Sequence, residues 1–367
     1  MLSNLVTFKT LGVISLAHYG STAAIHSTSL TPRDANVSST YKLVADYTGA
    51  AFFNGFSTFT GADPTTGHVK YINKQAAMPS ELIGLIYNAT SNTSLAYIGV
   101  DHTNKAPNGR QAMRLNSVDT FNIGMLLVAD VQHMPSGCGL WPALWTLGTT
   151  QSWPDGGEID IMETVHNDDY NHITLHSSSG CSVDGTTSLF QGNLTDTNCN
   201  ANNGSDGCSV GAVPESNFTM SHGTCMHATA GAAFNTQGGA LYVMSWTTSG
   251  VTVWMIPRDY QPADLMAGKP DPSTWTFKPL VKFTGSGCDF NAHFQSMQII
   301  INTDFCGSWA GDPKVWQSSG CATQTNTATC NDYVADNPDA FKDANWLFNG
   351  IKVYSTNANP TGTAPAT

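Results

Sequence analysis

Short runs of apolar and β-branched residues, separated by Gly, Pro and Asn, recur along most of the chain from Tyr41 onward. Runs of this length with turn residues at both ends are typical of β-strands. The clearest of them predict strands at 124–134, 157–166, 172–178, 294–305 and 349–355.

Residues 240–256 ("ALYVMSWTTSGVTVWMI") predict a β-hairpin, because two β-rich runs flank a turn sequence that contains Gly. Helical periodicity is scarce, and "ADNPDAFKDANWLF" (335–348) predicts at most one short helix. Many strands with long polar connections favour a β-sandwich or a barrel. No internal repeat or break in composition follows residue 41, so we expect one large all-β domain.

The two ends of the chain depart from this pattern. Residues 1–25 combine a lysine, a short apolar run and small residues, which predicts a signal peptide, and 26–40 predict a polar leader. The domain is expected to span 41–355, and 356–367 predict a disordered tail. No apolar run is long enough to cross a bilayer, so we expect no membrane partner.

The composition narrows the class of partner. Apolar residues make up 41% of the 367 residues and charged residues only 11%, so Asn, Ser, Thr and Gly must cover much of the surface. The net charge is −12, and no Lys/Arg cluster is present to neutralise phosphates. We therefore expect a neutral substrate and no nucleic acid. We also expect a monomeric protein.

The cysteines and glycosylation sequons indicate a secreted protein. Nine cysteines without a CxxC pair favour disulfides over zinc or redox centres, and the odd count leaves one unpaired, which we predict to be Cys225. Together with the sequons they predict an extracellular or cell-wall glycoprotein. The six N-x-S/T sequons start at Asn36, Asn88, Asn92, Asn193, Asn203 and Asn217.

The stretch "GEIDIMETVH" (157–166) places three carboxylates inside an apolar strand. Strand alternation puts Glu158 and Asp160 on one face, but it would turn Glu163 into the core, where a charge is costly. One extra residue near Ile161–Met162, a β-bulge, would return Glu163 to the face of the other two acids.

Three acids on one face raise one another's pKa, which suits a hydrolase that needs one ionised and one protonated carboxyl group. The alternatives are a solvated edge or a calcium site. Trp145 and Trp153 lie close by in sequence and are suited to stack on a sugar ring. We expect Trp141, next to a proline, to lie in the core.

Six blocks of the sequence together resemble the fungal laminarinase-type members of glycoside hydrolase family 16, over about 41–355. The resemblance implies a concanavalin A-like β-jelly-roll sandwich with long loops and a substrate cleft on its concave face. It implies retaining endo-hydrolysis of β-1,3- or mixed β-1,3/1,4-glucans. The blocks are "GCGLWPALWTLG", "WPDGGEIDIMETVH", "HITLHSSSGC", "PDPSTW", "INTDFCGSWAG" and "DYVADNPDAF".

The same resemblance implies roles for single residues. Glu158 would be the nucleophile, Glu163 the general acid/base, and Asp160 the supporting acid between them. His176 matches a histidine expected near the acids. Three further positions match aromatic residues expected to bind sugar, namely Trp145, Trp153 and Trp309.

One departure from the family pattern is Thr164-Val165-His166 after the second glutamate, where relatives often carry Gly, an apolar residue and Asn. It predicts a changed subsite or pH optimum, with the reacting acids intact. A zinc site formed by His166, His172 and His176 is disfavoured, because no further ligand pattern supports it. No organic cofactor or metal is expected, and nothing in the sequence requires the structural calcium that the fold would permit.

Two other functions remain open at this point. The first is a cell-wall glucan transglycosylase of the same fold, in which an acceptor sugar replaces water. Such enzymes usually carry E-x-D-x-E on a regular strand, so the extra residue here favours the hydrolase. The second is a glucan-binding lectin, which the retention of all three acids disfavours.

Overall fold

The computed structural model describes residues 40–88, 93–202, 206–212, 219–220, 223–224 and 228–364. Two large antiparallel sheets, of eight and nine strands, pack face to face in these residues. The predicted all-β class and β-jelly-roll sandwich are confirmed.

The strands account for most of the regular structure. In chain order they are β1 Lys42–Thr48, β2 Phe56–Thr58, β3 Val69–Tyr71, β4 Ile83–Asn88, β5 Thr93–Ile98, β6 Arg110–Ala112, β7 Arg114–Phe121, β8 Met125–His133, β9 Leu140–Gly148, β10 Glu158–Glu163, β11 Asn171–His176, β12 Asn193–Leu194, β13 Cys208–Ala212, β14 Thr219–Met220, β15 Gly223–Thr224, β16 Ala240–Thr247, β17 Gly250–Pro257, β18 Val281–Phe283, β19 Met297–Phe305, β20 Trp346–Ser355 and β21 Thr361–Thr363.

The helices are short and lie between the strands. They are α1 Lys74–Ala77, α2 Gly231–Thr236, α3 Ala263–Met266, α4 Phe290–His293, α5 Gly307–Ala310, α6 Pro313–Ser318, α7 Cys321–Thr325 and α8 Cys330–Asp336. Short 3₁₀ segments are found at Gly49–Gly55, Thr187–Leu189, Arg258–Tyr260, Pro272–Thr274 and Pro338–Phe341.

The sheet order brings sequence-distant strands together. The eight-stranded sheet runs β18-β17-β16-β8-β20-β5-β4, with β1 also paired to β20. The nine-stranded sheet runs β12-β13-β11-β10-β9-β19-β7-β2, with β21 also paired to β7. The acid-bearing strand β10 therefore lies in the middle of its sheet, between β9 and β11.

The core fills the space between the two sheets. Alternate side chains of each strand point into one buried cluster, and burying a Leu, Ile or Phe side chain contributes about 1.5–3 kcal/mol. The opposite side chains of the nine-stranded sheet are left to form a site. Members of the cluster from both sheets include Leu127, Leu144, Ile159, Ile173, Tyr242, Val253, Ile299 and Ile351.

Every predicted strand is present, and the predicted hairpin is formed by β16 and β17. Gly250, at the end of its turn, has φ 142°, and an added Cβ would lie 2.0 Å from the Phe283 carbonyl oxygen. The segment predicted to hold at most one short helix (335–348) contains the end of α8, the 3₁₀ turn Pro338–Phe341 and the start of β20.

The structure differs from the predicted disordered tail. β21 pairs with β7, the Asn122 N–H donates to the Pro360 carbonyl, and Asn357 Nδ2 donates to the Ile123 carbonyl. These bonds use backbone and amide groups, so they need no apolar side chains and leave no hydrophobic signal in the sequence. The predicted signal peptide and almost all of the predicted leader lie outside the described residues.

Eight cysteines form four disulfides. Cys225, predicted to be unpaired, lies outside the described residues. Among the sequon asparagines, Asn193 is exposed, Asn88 is described for its backbone only, and the other four lie outside the described residues. The disulfides join Cys138 to Cys321, Cys181 to Cys288, Cys199 to Cys208, and Cys306 to Cys330.

Candidate active site

The predicted bulge is present in β10. Asp160 pairs with Thr174 of β11 and Glu163 pairs with His172, so three steps along β10 match two steps along β11. The register against β9 shifts between Asp160 and Met162. Ile161 and Met162 are fully buried in the core, as is Ile159.

Because of this extra residue, Glu158, Asp160 and Glu163 all point away from the core. We call this outer surface of the nine-stranded sheet the acid face. The site residues predicted from the sequence are therefore brought together on adjacent strands: β9 supplies Trp145, β10 the three acids, and β11 His176.

Asp160 and His176 form an ion pair on the acid face. His176 Nε2 lies 3.0 Å from Asp160 Oδ2, and Asp160 is only 2% exposed. Potential ligand atoms of Glu158, Asp160 and His176 all lie within 4.8 Å of one another. An added Cβ on Gly207 (φ 79°) would lie 2.9 Å from His176 Nδ1, so the ring is closely packed.

Each glutamate accepts a hydrogen bond from a tryptophan indole. Trp153 Nε1 donates to Glu158 Oε2 at 2.5 Å, and Trp141 Nε1 donates to Glu163 Oε1 at 2.7 Å. The predicted core position of Trp141 is wrong, because the residue is half-buried on the acid face and its indole bonds to Glu163. Trp141 and Trp145 are four residues apart on one strand, so strand parity alone places them on the same face.

The electrostatics of the acids follow from burial and mutual repulsion. Burial raises the pKa of Glu158, against the opposing effect of the His176 charge. Burial and the charge of Glu158 raise the pKa of Asp160 to about 7, and burial and the charge of Asp160 raise the pKa of Glu163 to about 8. Burial lowers the pKa of His176, but the hydrogen bond and charge of Asp160 and the charges of both glutamates outweigh it and raise the pKa to about 9. Glu163 is therefore suited to hold a proton at neutral pH.

The predicted aromatic residues lie at different places around the acids. Trp153 is 54% exposed and is available to a ligand. Trp145 Nε1 donates to Asn302 Oδ1 at 2.7 Å, and the Arg114 guanidinium carbon lies 4.9 Å from the centroid of the Trp145 ring. No sequence pattern predicts Asn302 or Arg114, because their contacts with Trp145 depend on β19 pairing with β9 and on β7 lying next to β19.

Trp309, at the end of the acid face that holds Glu163, contacts two other rings edge to face. Its centroid lies 5.6 Å from that of Trp141 and 4.9 Å from that of His172. Because His172 is the cross-strand partner of Glu163, these rings surround the glutamate on several sides.

The three histidines considered for zinc do not come together. His166 is buried, accepts from the Gly139 N–H through Nδ1 and packs against Trp316. Within the part of the chain that the structure describes, one group of three possible metal ligands is found: the acid-face group of Glu158, Asp160 and His176.

Comparisons with known proteins match nearly the whole described region. The family described as XgeA-like, catalytic GH16 domain matches residues 56–354. A probable endo-1,3(4)-β-glucanase of Aspergillus clavatus is 39% identical over 337 residues, which are 90% of this chain and 48% of that protein. The endo-1,3(4)-β-glucanase xgeA of Emericella nidulans is 38% identical over 343 residues, 91% of this chain and 50% of that protein. The chain thus spans about half the length of these relatives.

Two solved structures share the fold over the same region. One is laminarinase 16A from Phanerochaete chrysosporium with 6-O-glucosyl-laminaritriose in both donor and acceptor sites, at 33% identity and TM-score 0.74. The other is an elongating GH family 16 β-1,3-glucosyltransferase, at 35% identity and TM-score 0.74. Each match covers 86% of this chain and 100% of the other.

Proposed function

Because the chain belongs to glycoside hydrolase family 16, we propose that it hydrolyses internal bonds of β-1,3- or mixed β-1,3/1,4-glucans with retention of anomeric configuration. The names of the relatives at 37–39% identity support the substrate class. The observation that carries the proposal is the bulge in β10, which puts Glu163 on the same face as Glu158 and Asp160.

The reaction has two steps with Glu158 and Glu163 in different roles. Protonated Glu163 gives its proton to the glycosidic oxygen while the Glu158 carboxylate attacks the anomeric carbon, and the leaving chain departs as an alcohol. Glu163, now ionised, takes a proton from water, whose oxygen displaces Glu158 and releases the sugar.

The neighbours of each glutamate support this division. Glu158 receives the Trp153 indole hydrogen bond and lies beside the positively charged His176, and both favour its ionised form. Asp160, between the two glutamates, repels charge on Glu163 and so favours its protonated form.

The aromatic residues of the acid face are proposed to bind the glucan. Flat indole rings bury the apolar faces of sugar rings and have few rotatable bonds to order. Trp153 is the most exposed of them, and Trp145 and Trp309 are half-buried. Trp141 joins this group, with a second role as a hydrogen-bond donor to Glu163.

We further propose that the protein is secreted, to the medium or the cell wall. Four disulfides support this location, because they persist in oxidising compartments. A search of the described residues for a helix long and apolar enough to cross a membrane finds none.

Transglycosylation is the second candidate function. Its support is the elongating glucosyltransferase, which matches this chain as closely as the laminarinase does. The chemistry is shared up to the glycosyl-enzyme, and an acceptor sugar then replaces water. The bulged spacing of the glutamates favours hydrolysis.

The test is digestion of laminarin, lichenan and barley glucan side by side, with the products sized. We expect shorter oligosaccharides and new reducing ends from the wild type, and none from Glu158→Gln or Glu163→Gln. Glu81→Gln, the same change at an exposed glutamate, is the matched control and should digest normally. Products longer than a labelled starting oligosaccharide would establish the transglycosylase, and binding without new reducing ends would establish a lectin.

A further inference from the structure

The bulge in β10 disturbs the backbone hydrogen bonds around the extra residue, and one buried side chain bonds to both sides of the irregularity. Asn171 Oδ1 accepts from the Glu163 N–H at 2.7 Å. Asn171 Nδ2 donates to the Ile161 carbonyl at 2.8 Å. A single amide thus satisfies a donor and an acceptor that would be costly to leave unpaired in the interior.

Asn171 is itself held in place by a buried network. Its backbone N–H donates to Thr229 Oγ1 at 2.8 Å, and that hydroxyl donates to the Ala212 carbonyl at 2.6 Å. The Tyr242 hydroxyl donates to the Thr229 carbonyl. Asn171 and Tyr242 are 0% exposed and Thr229 is 1% exposed, so no solvent competes for these bonds.

From this geometry we propose that Asn171 is a positioning residue for the general acid/base: its amide holds the bulge that turns the Glu163 side chain onto the acid face. The proposal rests on the proposed function, because it acts through the role of Glu163. Asn171 does not touch the substrate, since it lies wholly in the interior beneath the strand.

The side chain must be an asparagine for this purpose. The bridge needs one acceptor and one donor on the same short side chain, and an amide supplies both. An ionised aspartate keeps the acceptor for Glu163 N–H but loses the donor for the Ile161 carbonyl. Alanine loses both, and glutamine adds a methylene to a packed site.

A mispositioned general acid has a specific kinetic signature. Hydrolysis of a glucan needs protonation of a poor leaving group. The dinitrophenolate of a dinitrophenyl β-laminaribioside leaves without protonation. General acid catalysis contributes about 10²–10⁴-fold. A variant that displaces Glu163 should therefore lose laminarin cleavage but keep release of dinitrophenol, whereas partial unfolding lowers both equally.

The experiment compares kcat/KM on laminarin and on dinitrophenyl β-laminaribioside for the wild type, Asn171→Ala, Asn171→Asp and Glu163→Ala. The ratio of the two values does not depend on the fraction of folded enzyme. Asn235→Ala is the matched control, because Asn235 also bridges backbone groups, accepting from the Met134 N–H and donating to the Met134 carbonyl.

We expect the laminarin-to-aryl ratio to fall about 10- to 100-fold in both Asn171 variants, in the same direction as in Glu163→Ala, and to be unchanged in Asn235→Ala. Azide should speed turnover of the aryl substrate by the Asn171 variants and give a β-configured glycosyl azide, because it replaces water without a base.

Equal losses on both substrates would overturn the proposal and leave Asn171 a stabilising residue only. If Glu163→Ala itself leaves the ratio unchanged, Glu163 is not the general acid, and the role of Asn171 is lost together with that part of the proposed function.

Discussion

Trp141 Nε1 donates a 2.7 Å hydrogen bond to Oε1 of Glu163, across the two adjacent strands β9 and β10. The hydrogen bond fixes one oxygen of the carboxyl group, and the other remains available to a ligand. The same indole ring packs edge to face on Trp309, so the orientation of Glu163 depends on a ring contributed by α5 as well as on its own strand.

Trp141→Phe removes this hydrogen bond and keeps an aromatic ring. A hydrogen bond to a charged group contributes about 1.5–3 kcal/mol, so kcat on laminarin should fall about 10- to 100-fold. Because the bond lowers the pKa of Glu163, its loss should move the alkaline limb of the pH profile upward. Trp254→Phe, at a buried indole on the other sheet, is the control and should leave both quantities unchanged. An unchanged kcat in Trp141→Phe would contradict the role given to the bond.

The pH profile of kcat/KM should fall as pH rises through about 8, because Glu163 then loses the proton that the leaving group needs. On the acid side, activity should fall as Glu158 gains a proton. His176→Gln removes a positive charge that lowers the pKa of Glu158 and Asp160, so the acid limb should shift to higher pH. Stopped assays across pH 4–10 measure both limbs, and an acid limb that stays in place would show that His176 does not act through charge.

Azide distinguishes the roles of the two glutamates. Glu158→Ala should abolish hydrolysis of glucan, and azide should then attack the anomeric carbon from the vacated side. With an activated aryl laminaribioside the product should be a glycosyl azide of inverted configuration, identified by proton NMR. Inversion in Glu163→Ala instead of Glu158→Ala would reverse the assignment.

Trp153 is expected to act mainly in binding, since its ring is exposed at the side of Glu158. Trp153→Ala should raise KM on laminarin several-fold more than it lowers kcat. Trp153→Phe keeps a stacking surface and loses the indole hydrogen bond to Glu158, so it should recover KM but not kcat. Matched melting temperatures check that neither change acts through folding.

The raised pKa of Asp304 predicts how the free energy of unfolding depends on pH. Burial and the charge of Asp63 raise its pKa from 3.8 to about 8, so the folded protein keeps a proton that the unfolded chain releases. The free energy of unfolding should therefore fall as pH rises from about 4 to about 8, by at most about 1.4 kcal/mol per pH unit from this group. Asp304→Asn should flatten that decline in melting temperature between pH 5 and pH 8.

Asp339→Asn, at an exposed aspartate, is the control and should keep the wild-type slope. Asp304 also accepts from the Thr65 hydroxyl at 2.7 Å, a bond that asparagine can retain through its carbonyl oxygen. A wild-type slope in Asp304→Asn would show that Asp304 is already ionised in the folded protein over this pH range, as it is in the unfolded chain.

The sequence predicted the strands, the hairpin and the bulge because each depends on local alternation. Glu163 is the clearest case, because regular alternation would bury its charge in the core. A β-bulge is the simplest change of the strand that avoids this. The same alternation places Trp141 on the face of Trp145, which lies four residues further along β9. The predicted core position of Trp141 is wrong because the neighbouring proline does not determine which face of the strand the indole occupies.

Contacts between strands distant in sequence could not be predicted. Arg114 and Asn302 meet Trp145 only because β7 and β19 extend the sheet beyond β9. Asn171 carries no pattern that separates it from the many other asparagines of this chain. The tail strand β21 pairs through its backbone, so the amino-acid composition of the tail carries no signal for it.

The irregularity in β10 has an evolutionary consequence. The strand ends at Glu163, so a phase change near Ile161 re-aims one side chain of the strand itself. Deletion of one codon at Ile161 would restore regular alternation and still leave three acids on one side, with the two glutamates about 3.3 Å closer along the strand. The two spacings of Glu158 and Glu163 thus differ by a single in-frame deletion. Natural variation can change from one spacing to the other without an intermediate in which Glu163 points into the core.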